Sequence, residues 1–302
     1  MGSKGYSAMS LWKAVAAQIT EITQESFAVT GIRGVGGGCI NATDVIDNGK
    51  RTYFVKHNHA DKVEMLAAEA EGLTTLAATR TVRVPLPVCT GIAAGRAYLV
   101  LEFLELDRAS QSAQERLGYQ LAALHRVTQK QFGWHRANTI GSTPQSNRYA
   151  DRWVDFFRHE RLGPQFTLAE RHGRHHSLLN KGERLRADLD VFFLSYRPQA
   201  SMLHGDLWAG NAAETSDAQP VIFDPSVYFG DRETDLAMTE LFGGFAPRFY
   251  DAYREALPVD PGYTVRRTLY NLYHVLNHAN LFEGGYWKQA EQMLDALLVE
   301  IR

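Results

Sequence analysis

The residues best suited to chemistry fall between positions 201 and 233. His204-Gly205-Asp206 opens the pattern His204-x-Asp206-x-x-x-x-Asn211, and an apolar run, Val221-Ile222-Phe223, then ends abruptly on Asp224. A carboxylate at Asp206 can orient and deprotonate an attacking hydroxyl. The Asn211 amide oxygen and the Asp224 carboxylate are the hard oxygen donors that Mg²⁺ prefers. Two acids and a carboxamide at this spacing suit phosphoryl transfer, which depends on positioning and on charge neutralisation at the phosphates. Asp, Gly and Asn also abound in ordinary turns, but an apolar strand running straight into Asp224 argues for a built site. His204 is read as a brace for this loop, not as the base.

Other candidates take their meaning from those four. Gly36-Gly37-Gly38, followed by Cys39, would let backbone N–H groups approach a phosphate closely, so the three glycines are assigned to nucleotide binding. Lys56 closes the run Thr52-Tyr53-Phe54-Val55-Lys56 and would reach the α- and β-phosphates. Its expected partner is Glu69, a charge on the apolar stripe of the next helix, where it is costly unless paired. Glu102, Phe103 and Leu104 mark a hinge whose backbone would meet adenine. Trp208, His278 and Trp287 are candidate substrate contacts, a flat apolar face being what a sugar lies on, although tryptophans more often serve as core anchors. Asp231, Glu233 and Asp235 read as an acidic turn, with Thr234 or Asp235 capping the following helix, and as candidates to brace the catalytic loop without a chemical role. His172, His175 and His176 lack the companions a zinc site needs.

These residues need elements to hold them. Helices are expected over Ser10–Glu21, Asp61–Thr79 and Ser112–Val127, the second carrying Met65, Glu69, Leu73 and Leu76 on one face. Strands are expected at Ala42–Ile46, Arg51–Lys56 and Tyr98–Phe103, with Asp47-Asn48-Gly49-Lys50 as a turn. Val82–Val88, with two prolines, reads as an extended loop. The 144–200 region reads as helical and charge-rich with a break at Gly163-Pro164, and helices follow over Thr234–Leu241, Pro247–Ala256, Val265–Phe282 and Trp287–Ile301. The glycines therefore sit beside a strand–turn–strand unit, unlike a P-loop, whose glycines open directly into a helix.

The chain of 302 residues, 45% hydrophobic and 22% charged, suits two lobes with separate cores. A net charge of −2 leaves no nucleic-acid footprint. No apolar run reaches the ~18 residues of a membrane span. Two cysteines, Cys39 and Cys89, are too few for a disulfide framework, which points to a reducing, cytoplasmic setting. Monomer and homodimer both remain open.

The catalytic spacing resembles the protein-kinase loop and its metal aspartate, with His-Gly-Asp in place of His-Arg-Asp and Asp-Pro in place of Asp-Phe-Gly. Four stretches together resemble the fructosamine-kinase (ketosamine 3-kinase) family: Gly36 to Asn41, Leu203 to Asn211, Phe223 to Glu233, and Asp235-Leu236-Ala237-Met238 through Phe242-Gly243-Gly244-Phe245. The resemblance runs from about residue 10 to the C-terminus. It implies an α+β, bilobal protein-kinase-like fold, with a small β-rich N-lobe (1–104) and a larger, mainly helical C-lobe (105–302). It implies ATP and Mg²⁺ as cofactors and phosphorylation of the sugar 3-hydroxyl of a ketosamine, free or protein-bound, in deglycation. By motif match Asp206 would be the base, Asn211 and Asp224 the metal ligands, and Lys56 with Glu69 the phosphate-positioning pair. Ser226 departs from a frequent alanine. A cysteine at position 39 belongs to the family pattern and is a redox candidate. The alternatives are an aminoglycoside- or choline-type kinase of the same fold, and a nucleotide-binding pseudokinase.

Overall fold

A computed structural model describes residues 3–36, 40–174 and 176–301. Gly37, Gly38 and Cys39 lie outside the described residues. Helix α1 (Ser3–Thr23) precedes β1 (Gly31–Gly34), β2 (Ala42–Asp47) and β3 (Thr52–His59); α2 (Val63–Thr79), β4 (Pro87–Ala93) and β5 (Arg96–Glu102) complete the first lobe. The strands form one antiparallel sheet in the order β1-β2-β3-β5-β4. The turn between β2 and β3 closes where Asn48 Oδ1 accepts the Lys50 and Arg51 N–H groups, with Gly49 at φ +79°.

Alternation along the strands sorts the side chains. Tyr98 and Val100 on β5 join Val55 on β3 against Leu11, Val15 and Ile19 of α1. Their neighbours Ala97, Leu99 and Leu101 face the other way, into a core with Leu66, Leu73 and Leu76 of α2. Lys56, next to Val55, therefore points to the α2 side. Strand β4 begins at Pro87, inside the end of the Val82–Val88 segment that was expected to be an extended loop, and runs on to Ala93. Pro87 tolerates this because β4 is the sheet edge, where a missing N–H costs no ladder bond. Cys89 is buried there, and burial pushes its thiol up to about 12, which makes it inert.

The second lobe starts with β6 (Leu106–Asp107) and α3 (Gln111–His125), which Ser110 caps by accepting the Ala113 N–H at 3.2 Å. Then come β7 (Thr128–Gln129), β8 (Asn138–Ile140), β9 (Thr143–Gln145), α4 (Trp153–Phe156), α5 (Gly163–Arg171) and α6 (His176–Ala187). The expected break at Gly163-Pro164 is absent. A π-helical stretch, Phe157–Leu162, runs directly into α5. The Gly163 N–H reaches back to the Arg158 carbonyl, and Pro164 falls in the first turn of α5, where its missing N–H is not needed.

Strands β10 (Ala200–Leu203), β11 (Ala212–Thr215), β12 (Pro220–Ile222) and β13 (Tyr228–Gly230) follow. Helices α7 (Glu233–Leu241), α8 (Pro247–Ala256), α9 (Tyr263–Phe282) and α10 (Tyr286–Glu300) pack behind them. Strand β10 sits between β13 and β7, and β11 between β12 and β6. Among the described residues, no helix is long and apolar enough to cross a membrane.

Candidate active site

The loop from His204 to Asn211 leaves β10 and enters β11, and Asp224 follows β12, the partner of β11. The Ala212–Ile222 pairing and the Phe223 N–H donating to the Asn211 carbonyl (3.1 Å) bring Asn211 and Asp224 side by side. His204 ties the two segments together. Its Nε2 donates to the Phe223 carbonyl at 3.0 Å, its Nδ1 accepts the Asp206 N–H at 3.3 Å, and its own carbonyl accepts from Ser226 N at 2.8 Å. Burial pulls the His204 pKa down, so the ring is neutral and can play both parts.

Asp206 is set by Asn211, whose Nδ2 donates to the Asp206 carbonyl at 2.9 Å and to its Oδ2 at 3.3 Å. That fixes the amide so that the Asn211 Oδ1 is the oxygen left to bind a cation. Burial, reinforced by the charge of Asp224, pushes the Asp206 carboxyl up to about 7. A carboxyl poised there suits a proton acceptor near neutral pH.

Lys56 bridges the lobes. Its Nζ lies 2.5 Å from Glu69 Oε1 and also bonds Asp224 Oδ1. Burial alone would lower the Lys56 pKa, but the two carboxylates outweigh it and hold the ammonium well above its usual range. Asp224 is the exposed member of the trio, its side chain 48% accessible against 7% for Lys56. Asp224 adopts φ +58°, a left-handed backbone that an L-residue holds at a cost of about 1–3 kcal/mol when its surroundings demand it. With Oδ1 on Lys56, Oδ2 of Asp224 and Oδ1 of Asn211 form an all-oxygen donor pair that fits Mg²⁺.

The segment after Asp224 is pinned by buried polar bonds. Ser226 Oγ donates to the Thr139 carbonyl (2.7 Å) and accepts from Gln145 Nε2 (2.8 Å), while Asn138 Nδ2 donates to the Val227 carbonyl (2.8 Å). Asp235 was expected at a helix cap, or as one of the acids that could brace the catalytic loop. It lies inside α7, fully buried, and accepts the His204 and Gly205 N–H groups at 2.8 Å each, with His125 Nε2 at 3.2 Å. The helix start is capped by Asp231, which accepts the Glu233 N–H at 3.0 Å. Burial raises the Asp235 carboxyl, but His125 and the loop amides more than reverse this and hold it below the usual range. Its signal in the sequence was a carboxylate set directly before Leu236-Ala237-Met238.

Trp208 and His278 come together through Phe242. The Trp208 and Phe242 rings are 6.1 Å apart edge-on, Phe242 and His278 are 4.7 Å apart, and Phe282 and Tyr286 flank His278. Phe242 was quoted in a motif but not expected in this wall. Trp287 faces the interior instead, 9% exposed, with the Arg174 guanidinium over its ring. In the hinge, Glu102 uses its carboxylate on Arg83 and the Leu86 N–H, and its own N–H on the Leu86 carbonyl. Phe103 and Leu104 follow, between β5 and β6. Gly36 sits just past the last β1–β2 bond, Val35 N–H to the Thr43 carbonyl at 3.0 Å.

The fructosamine kinase family model matches residues 11–300. The chain belongs to the fructosamine kinase family. This family member is 47% identical to a probable ketoamine kinase of Synechocystis sp. over 95% of its own length and 97% of the relative's. It is 40% identical to the chloroplastic protein-ribulosamine 3-kinase of Arabidopsis thaliana, covering 89% of this kinase and 83% of the plant protein. A solved Haemophilus somnus protein, named as a fructosamine-3-kinase, superposes with a TM-score of 0.87 at 28% identity over 95% of this kinase and 97% of that chain.

Proposed function

We propose that this protein transfers the γ-phosphoryl group of ATP to the sugar 3-hydroxyl of a ketosamine, the adduct of a sugar with an amine. The observation that carries this reading is the convergence of Asp206, Asn211, Asp224 and Lys56 through direct bonds, in a chain of the fructosamine kinase family.

Asp206 accepts the hydroxyl proton as the sugar oxygen bonds to the γ-phosphorus; the bond from that phosphorus to the β–γ bridging oxygen breaks, and ADP leaves. Lys56, steadied by Glu69, holds the α- and β-phosphates, and the glycine run Gly36, Gly37 and Gly38 is assigned to phosphate binding on its sequence. Asn211 and Asp224 would hold Mg²⁺, which when bound neutralises charge on the phosphates. With the Glu102 carboxylate and N–H committed to Arg83 and Leu86, adenine contact falls to the remaining backbone groups of Glu102, Phe103 and Leu104. Trp208, Phe242 and His278 give the ketosamine an aromatic wall. The 3-phosphate is a leaving group next to a carbonyl, so the product is prone to eliminate phosphate and release the amine, which is deglycation.

The test is phosphate transfer from labelled ATP to ribulosyl-lysine, fructosyl-lysine, kanamycin and choline, for wild type and Asp206→Asn. Transfer to a ketosamine alone is expected, with Asp206→Asn lowering kcat by ~10²–10⁴ while ATP still binds. Preference for kanamycin or choline, or near-normal turnover by Asp206→Asn, would refute the reading.

A further inference from the structure

Helix α2 carries Glu69, yet it is fastened to the second lobe. Leu66, Leu73 and Leu76 share one continuous core with Leu124, Ile140 and Val227. Gly72 lies so close to the segment after Asp224 that an added Cβ would meet Val227 Cγ2 at 3.1 Å. The helix also meets a charged contact from the second lobe. Arg136, in the loop before β8, donates through Nη1 to Glu71 Oε2 at 2.8 Å and through Nη2 to Glu64 Oε2 at 2.9 Å. His135 bonds the other Glu71 oxygen. Arg136 itself stands on a firm base, because buried Asn147 donates to its carbonyl at 3.0 Å and also bonds Asn138 and Arg161.

The helical repeat gives this contact a direction. Glu64 and Glu71 are close to two turns apart and share one face. Glu69, at about 100° per residue, lies nearly opposite Glu71. Arg136 therefore pulls on α2 from behind the face that presents Glu69 to Lys56.

We propose that Arg136 is a positioning residue, a strut from the second lobe that fixes α2 so that Glu69 holds Lys56 in register with the nucleotide phosphates. The inference rests on the phosphate-binding part assigned above to Lys56. Glu71 is the main partner, since its side chain is 36% accessible while that of Glu64 is 83% accessible and solvent-screened. The strut keeps Glu69 at Lys56 in the resting protein.

The test compares Arg136→Ala, Arg136→Glu, Glu71→Gln and the swap Arg136→Glu/Glu71→Arg in the full chain, reading KM for ATP, KM for ribulosyl-lysine, kcat and Tm. Arg136→Ala and Glu71→Gln are expected to raise the ATP KM ~2–5-fold, the scale of one partly exposed charge pair. Arg136→Glu should raise it further, the ketosamine KM should stay unchanged, and the swap should restore ATP affinity. An ATP KM unchanged in Arg136→Glu, a parallel rise of both KM values with a fall in Tm, or a swap that restores nothing would overturn the strut. Lys56→Met is the control. If it too leaves the ATP KM unchanged, the nucleotide reading and the strut fall together; if it impairs ATP binding while the Arg136 variants do not, the strut alone is refuted.

Discussion

Replacing Asp235 by asparagine removes one charge and almost no volume. The carboxylate accepts two backbone N–H groups, from His204 and Gly205, and contacts His125, all of them buried. Asparagine keeps one acceptor oxygen, so one loop amide would face an NH₂ group, donor against donor. A hydrogen bond to a charged acceptor contributes about 1.5–3 kcal/mol, and a stranded buried amide costs a further ~1–3 kcal/mol. The expected loss is about 3–5 kcal/mol, the range seen when one partner of a buried charged network is removed. At roughly 2–4 °C per kcal/mol, Tm should fall by about 6–20 °C. The amides at risk belong to the two residues before Asp206, so displacement of the base by ~1 Å should lower kcat by ~10² even in the fraction still folded. Thermal unfolding and single-turnover phosphate transfer measure the two effects separately. A variant within ~2 °C of wild type and within a few-fold in turnover would show that the loop does not depend on this carboxylate.

Gly205 sits at φ +84°, and an added Cβ would lie 2.0 Å from the Ser226 carbonyl oxygen. Gly205→Ala should therefore push the catalytic loop away from the Asp224 segment and lower kcat by ~10²; a crystal structure with the loop unmoved, or normal turnover, would contradict this. Stability should also fall on the acid side. Burial pulls the His274 pKa down to about 3 from its ordinary 6.5, so below pH 6.5 the unfolded chain binds the proton more readily. The folded state then loses up to ~1.4 kcal/mol per pH unit as pH falls toward 3. Urea midpoints at pH 7 and pH 5 should drop more for wild type than for His274→Gln, and equal drops would remove His274 as the source.

The two ends of the site were legible to different degrees. Asp206, Asn211 and Asp224 stand out because they lie close in sequence on one strand–loop–hairpin, so local spacing records their geometry. Lys56 and Glu69 were legible through pattern: a lysine ending an apolar strand, and a charge on an apolar helical stripe. The start of β4 was hidden because Pro85 and Pro87 read as loop, and only the strand's place at the sheet edge makes Pro87 harmless. The run through Gly163-Pro164 was hidden because a π-stretch absorbs a proline that would break an ordinary helix.

A brace for the catalytic loop was among the readings of Asp231, Glu233 and Asp235, but spacing did not say which of the three would serve, and nothing said what Phe242 would touch. Asp235 finds its partners thirty residues back in the chain, and Phe242 joins Trp208 to His278 across three separate elements. The sequence by itself determined which groups carry chemistry and in which local elements they sit, because turn, strand and helix periodicities are short-range properties. Only the tertiary structure decided that Asp224 takes Lys56 as a partner alongside Glu69, that Trp287 turns inward, and that α2 is held from the second lobe. Those outcomes follow from packing between distant segments, where burial and pairing of charge are settled by neighbours that no local pattern names.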